Sequence, residues 1–182
     1  QTNFLILLFL ILFWRSPRTF KGGLALGTGI LVKPILIMYP AYLFLTRQWK
    51  PLSGVVAAGA GLSVITIAVS GASMYFGYFL DNPIAHQMPS TLYSEDINQS
   101  LLATILRILG TEIDSGHPAV VPAFATLAFI FTIVSGWAIL RTCRRDDNLS
   151  LAILLTLSLL LFPKTLSHYS VLLIVPLLLL WS

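Results

Sequence analysis

LALGTGILVKPILIMYP, residues 24–40, sets a lysine and a proline side by side inside an otherwise apolar run. From Gly22 to Thr46 there is no other charged residue, so the fold turns on how this run is read. An ammonium at the centre of a bilayer costs a few kcal/mol even on the most lenient insertion scale, and such a residue faces a partner, a cavity or a substrate. One reading is a single tilted span, kinked at Pro34, with the Lys33 stem snorkelling to an interface. The other divides the run at Lys33-Pro34 into two legs, each roughly 16–18 Å long at the helical rise, about half of a ~30 Å hydrocarbon core.

The charges outside this run favour the second reading. Basic residues gather in RSPRTFK (Arg15, Arg18, Lys21), RQWK (Arg47, Lys50) and RTCRR (Arg141, Arg144, Arg145), whereas five of the seven acids lie between Asp81 and Asp114. Short Lys/Arg-rich loops stay in the cytoplasm. Apolar runs at 52–73 and 119–140 are each near the length of one crossing, which returns RTCRR to the side of RQWK and sends the loop 74–118 outward. A single crossing at 22–46 would put RSPRTFK outside, against that rule. A re-entrant half-helix hairpin keeps all three clusters inside and is the expectation here.

Composition agrees with a membrane protein. The chain of 182 residues is 57% hydrophobic and 10% charged, with a mean hydropathy of +0.87; soluble domains carry roughly a quarter charged residues. Apolar runs recur along the whole length, so a signal peptide does not account for them. The fold class expected is all-α, a polytopic transmembrane helical bundle in one domain, 1–182, with a first helix at about 4–14. Gln1 stands almost directly on an apolar run and Trp181-Ser182 closes another, so both ends are expected to lie inside a larger membrane domain. One cysteine, Cys143, excludes an internal disulfide. His86 and His117 lack metal-ligand spacing, so no metal and no cofactor is expected. No nucleic-acid partner is expected either.

The chemistry at the turn suits an anion. Proline tolerates the first helical position because it has no N–H to lose there, so Pro34 opens a second half-helix whose amides and positive dipole end point inward. Lys33 beside that terminus makes a phosphate site. A second polar tip follows: 149–181 is too long for one crossing and reads as a hairpin, 149–162 and 169–181, whose turn PKTLSH carries Lys164 and His168. An ammonium and an imidazole both suit a phosphate oxygen. In the outer loop, Leu101, Leu102, Ile105, Ile108 and Leu109 form one apolar face of a short interfacial helix, 99–109, with Asn98 as its cap. Solvated charge accounts for the loop acids.

In this order, QTNFLILLFLILFWR, GGLALGTGILVKPILIMYPAYLFLTRQWK, NQSLLATILRIL and FPKTLSHYSVLL resemble glycosyltransferase family 87. These are enzymes of GT-C type, typified by polyprenol-phosphate-mannose-dependent α-mannosyltransferases. The resemblance implies a multi-pass protein of the bacterial plasma membrane and cell envelope. Its donor would be a polyprenyl-phosphate-linked hexose, mannose, and its acceptor an extracytoplasmic glycan or glycolipid. Gln1 and Asn3 match the family's Gln-x-Asn, Lys33 and Pro34 its Lys-Pro turn beside the lipid phosphate, and Asn98, Gln99 and Ser100 the polar start of its loop helix. Pro163 and His168 match a Ser-Pro-x-Ser-Trp-x-His-His-like segment, with Phe162, Leu166 and Tyr169 standing where the family has Ser, Trp and the second His. The resemblance implies substrate-binding roles for these residues and for Lys164, and a general base in an outer loop ahead of Gln1. A secondary transporter or carrier of an anionic lipid, which binds through the same kind of broken helix, and a non-catalytic scaffold are the alternatives.

Overall fold

A computed structural model describes residues 2–81, 98–109, 119–142, 147–162 and 171–181. Its elements are helical, as expected: α1 (Thr2–Arg15), α2 (Phe20–Val32), a 3-10 turn (Pro34–Leu36), α3 (Met38–Leu45), α4 (Trp49–Ser70), α5 (Ala72–Asp81), α6 (Leu101–Leu109), α7 (Val120–Thr142), α8 (Asp147–Leu161) and α9 (Ile174–Trp181). Two of them, α4 and α7, are long and apolar enough to cross a membrane.

The direction of the chain is set by small residues. A Cβ on Gly23 would run into the Pro51 carbonyl oxygen, and one on Gly27 would lie 2.7 Å from the Ala58 Cβ. A Cβ on Gly54 would in turn run into the Phe20 carbonyl. Glycines four apart on α2 thus meet Gly54 and Ala58, four apart on α4, and the two backbones touch. Small-residue faces of this kind let helices associate in lipid, where no hydrophobic force drives them together. Residue numbers rise together along the seam, so α2 and α4 are parallel. The segment 33–48 between them therefore carries the chain back to the end from which α2 started. Helix α1 runs the other way, with Gly22 against the Ser16 carbonyl and Gly29 against Phe9.

Local signals fix the ends of this unit. Thr19 caps α2, its Oγ1 accepting from the Gly22 amide at 3.1 Å. At the end of α3 the Gln48 amide donates to the Leu43 carbonyl (2.8 Å) and the Arg47 amide to that of Phe44 (3.0 Å), the paired bonds of a Schellman ending. Arg47 takes the left-handed position, φ 57°, where glycine is usual.

The apolar run expected as one helix at 52–73 breaks at Gly71, whose φ of 85° and ψ of 151° belong to a region open essentially to glycine. The next helix, α5, occupies sequence that was expected to be loop. Helix α6 begins at Leu101, and its cap is Ser100 rather than Asn98: Ser100 Oγ accepts from the Ala103 amide at 3.2 Å. The side of α6 against the protein carries Leu101, Ala103, Ile105 and Leu106, while Ile108 is 78% exposed, off the face expected for it. In the last hairpin, α8 starts two residues earlier and α9 five later than expected, and the turn between them lies outside the described residues.

The main core joins α1, α2, α3, α7, α8 and α9 through Ile6, Phe13, Leu26, Tyr39, Ile139, Leu155 and Val175. Phe13 and Tyr39 meet edge to face at 6.0 Å, and the Tyr39 hydroxyl donates to the Leu151 carbonyl at 3.3 Å. Trp14 Nε1 donates to Asn148 Oδ1 at 3.2 Å, and the Thr142 and Ser150 hydroxyls pair at 3.0 Å. These bonds bring the end of α1, the end of α7 and the start of α8 to one end of the molecule, the end where α2 and α4 begin. Arg15, Arg18, Lys21, Arg47, Lys50 and Arg141 therefore share that end. Arg141 stacks on Trp137 there, 4.2 Å from the ring centroid.

Candidate functional site: the Lys33-Pro34 tip

Lys33 closes α2 and opens the return. Its amide donates to the Gly29 carbonyl at 3.1 Å, and its extended backbone, φ −160° and ψ 122°, ends the helix. Extended geometry is what a residue before proline prefers. Pro34 then heads the 3-10 turn, closed by the Ile37 amide on the Pro34 carbonyl at 3.0 Å, and α3 continues from it. The tip therefore sets Lys33 directly beside the start of that turn. Ile35 and Leu36 are buried and anchor the turn, whereas Lys33 is half-buried and Pro34 exposed.

The depth of the tip follows from the parallel seam. Leu31 lines a cavity with Leu62 and Ser63 of α4, so the tip stands roughly 20 Å up α4, whose whole length is about 33 Å at the helical rise. Asn3, buried on the first turn of α1, lies toward the same end of the α1–α2 pair, because Phe9 faces Gly29.

Asn98 is fully buried and bound into the start of α6: its Oδ1 accepts from the Ser100 amide at 3.1 Å, and its carbonyl accepts from the Arg107 guanidinium at 2.8 Å. Gln99 beside it is exposed. The packing of α6 on Val120 and Leu160 places both residues at the end of the molecule away from the basic clusters. Gln1, Pro163, Lys164 and His168 fall outside the described residues. Among the described residues no group of His, Cys, Asp and Glu could hold a metal ion.

Two features escaped the sequence reading. An apolar groove of about 240 Å³ runs between α3, α7 and α8, walled by Met38, Tyr42, Gly136, Ile139 and Leu154; it depends on how three helices meet, for which the sequence holds no local sign. The second is a face of hydroxyls on α4, Ser63, Thr66 and Ser70, met by Tyr75 of α5. Their i, i+3, i+7 spacing is a helical signal that was there to be found, but α5 was not expected.

Compared with known families, residues 1–163 match the model of glycosyltransferase family 87. No curated protein matches the chain, and no solved structure does.

Proposed function

The chain belongs to glycosyltransferase family 87, and on that premise we propose that it moves a hexose, mannose, from a polyprenyl-phosphate donor to a glycan or glycolipid acceptor on the outer side of the plasma membrane. The observation that carries this reading is the parallel seam between α2 and α4, which leaves Lys33-Pro34 at the tip of a returning chain. With the basic end in the cytoplasm, as the positive-inside rule asks, 22–46 is a re-entrant hairpin. Its tip then lies about 10 Å below the outer face of a ~30 Å core. That sets the tip in the outer leaflet, the half of the bilayer that holds the tail of a lipid-linked donor and not a soluble substrate. The apolar groove beside α3 suits the isoprenoid tail of such a donor. The helices not described as single long spans, α1, α8 and α9, complete a multi-pass bundle of GT-C type in this reading.

In the transfer, an acceptor hydroxyl oxygen bonds to the anomeric carbon as the bond from that carbon to the phosphate oxygen breaks. The electron pair leaves with the phosphate, and the hydroxyl proton goes to a base assigned to no residue described here. Negative charge grows on the departing phosphate, so donors already aimed at it stabilise the transition state more than the ground state. Lys33 takes that role at the tip. Lys164 and His168 are proposed to add donors from the outer side, and Asn3, Asn98, Gln99 and Gln1 to border the acceptor.

The test is Lys33→Gln in the full-length protein, assayed for mannose transfer and for polyprenyl-phosphate binding in one preparation. Removal of a donor to a developing oxyanion lowers kcat by about 10²–10³, and binding of the phosphate lipid weakens with it. Wild-type rates and affinities in a folded Lys33→Gln protein contradict the proposal.

A further inference from the structure

The cavity beside the tip is built differently from the groove that suits a lipid tail. It holds about 450 Å³ between the end of α2, the outer half of α4 and the start of α5, within the range of small-ligand sites. Leu31 and Met74 form apolar parts of its wall, and Ser63, Thr66, Ser70 and Tyr75 bring four hydroxyls to it. Ser63 Oγ and the Tyr75 hydroxyl lie 2.7 Å apart, which fixes the phenol ring against α4. Thr66 Oγ1 donates to the Leu62 carbonyl at 2.8 Å, so its proton is committed and its lone pairs accept. An aromatic ring beside a set of paired and accepting hydroxyls offers a polyol both a flat apolar wall and hydrogen bonds at several heights.

The place of the cavity matters as much as its chemistry. Leu31 stands two residues before Lys33, and Ser63, Thr66 and Ser70 climb α4 from the level of the tip toward its outer end. A group attached to a phosphate held at Lys33, or one approaching it from outside, meets this face first. We infer that the α4–α5 cavity seats a hexose ring, with Tyr75 and Ser63 as a bonded pair at its wall and Thr66 and Ser70 as hydroxyl partners. This rests on the proposed transferase reading. The ring belongs either to the donor sugar or to the acceptor.

Equilibrium binding to the full-length protein separates the sources, with three probes: polyprenyl phosphate, polyprenyl-phosphate-mannose and octyl α-mannoside. The variants are Tyr75→Phe and the near-isosteric Thr66→Val, which sits on an exposed stretch of α4 and leaves packing intact. If the seat is the donor's, both variants lose about three- to tenfold of the preference for polyprenyl-phosphate-mannose over polyprenyl phosphate, the scale of one hydrogen bond. If it is the acceptor's, octyl α-mannoside affinity falls by a similar factor and that preference stays. Unchanged affinities for all three probes in both variants overturn the inference. Lys33→Gln acts instead on polyprenyl phosphate itself, so a failure of the transferase reading shows separately.

Discussion

Two apolar runs of similar length follow one another in this chain and fold differently. Residues 22–46 break at Lys33 and fold back, whereas α4, 49–70, continues as one unbroken helix. Composition separates them little, since both are apolar and rich in small residues and both carry proline, Pro34 and Pro40 in the first and Pro51 in the second. Position does. Pro51 sits in the first turn of α4, where its missing amide proton costs nothing; Pro34 sits mid-run, next to the one charge. The difference continues in the packing. Ile35, Leu36, Tyr39 and Leu43 of the returning leg are buried in the main core, while Val64, Ile65 and Val69 of α4 point outward, Val69 82% exposed. The returning leg thus spends its apolar side chains on protein contacts, while α4, long and apolar enough to cross a membrane, leaves much of its apolar side uncovered by protein.

The seam between the two runs is the place to break this contrast. Gly23→Leu drives a side chain into the Pro51 carbonyl; overpacking at a backbone contact costs about 3 kcal/mol or more. The hairpin loses its brace, and thermal stability in detergent falls sharply. A leucine at Gly59 or Gly61, where a Cβ meets nothing within 4 Å, changes stability little in the same assay. A smaller effect is expected from Tyr39→Phe, which removes the bond to the Leu151 carbonyl and lowers stability by about 1 kcal/mol without moving the tip. The smallest should come from Arg47→Gly, which relieves the left-handed residue and stabilises the return by about 0.5–1 kcal/mol. It also removes a positive charge from the basic end, and its effect on orientation in membranes is read by protease protection.

The broken run was legible in the sequence because Lys33-Pro34 is an anomaly of both charge and backbone. The sharing of one end by Arg15, Arg18, Lys21, Arg47, Lys50 and Arg141 was legible as well, from apolar run lengths and the positive-inside rule. What composition could not convey was the means. Gly23, Gly27, Gly54 and Ala58 look like ordinary small residues until two helices are laid side by side. Gly71 hid a helix break because a single glycine in an apolar run stays compatible with a continuous span; its positive φ is a property of the fold. For α6, an apolar periodicity was visible, but Ile108 and Leu106 exchange the expected roles because the neighbours, Val120 and Leu160, are remote in sequence. At the candidate site, Lys33 and Pro34 stand out in the sequence by their place inside an apolar run, whereas the polar groups of Asn98, expected as a helix cap, are engaged with Ser100 and Arg107.

The central claim is that residues 22–46 return to the end where they began. It is tested most directly by the distance between spin labels at Lys21 and Lys50 in the Cys143→Ser background, with the full-length protein in lipid vesicles. Both positions are exposed, and each lies close to the Gly23–Pro51 contact. The account predicts a separation below about 25 Å, whereas a single helix through 22–46 would hold the labels roughly 40 Å apart at 1.5 Å per residue. The longer distance would contradict the return of the chain and, with it, the place of Lys33 at its tip.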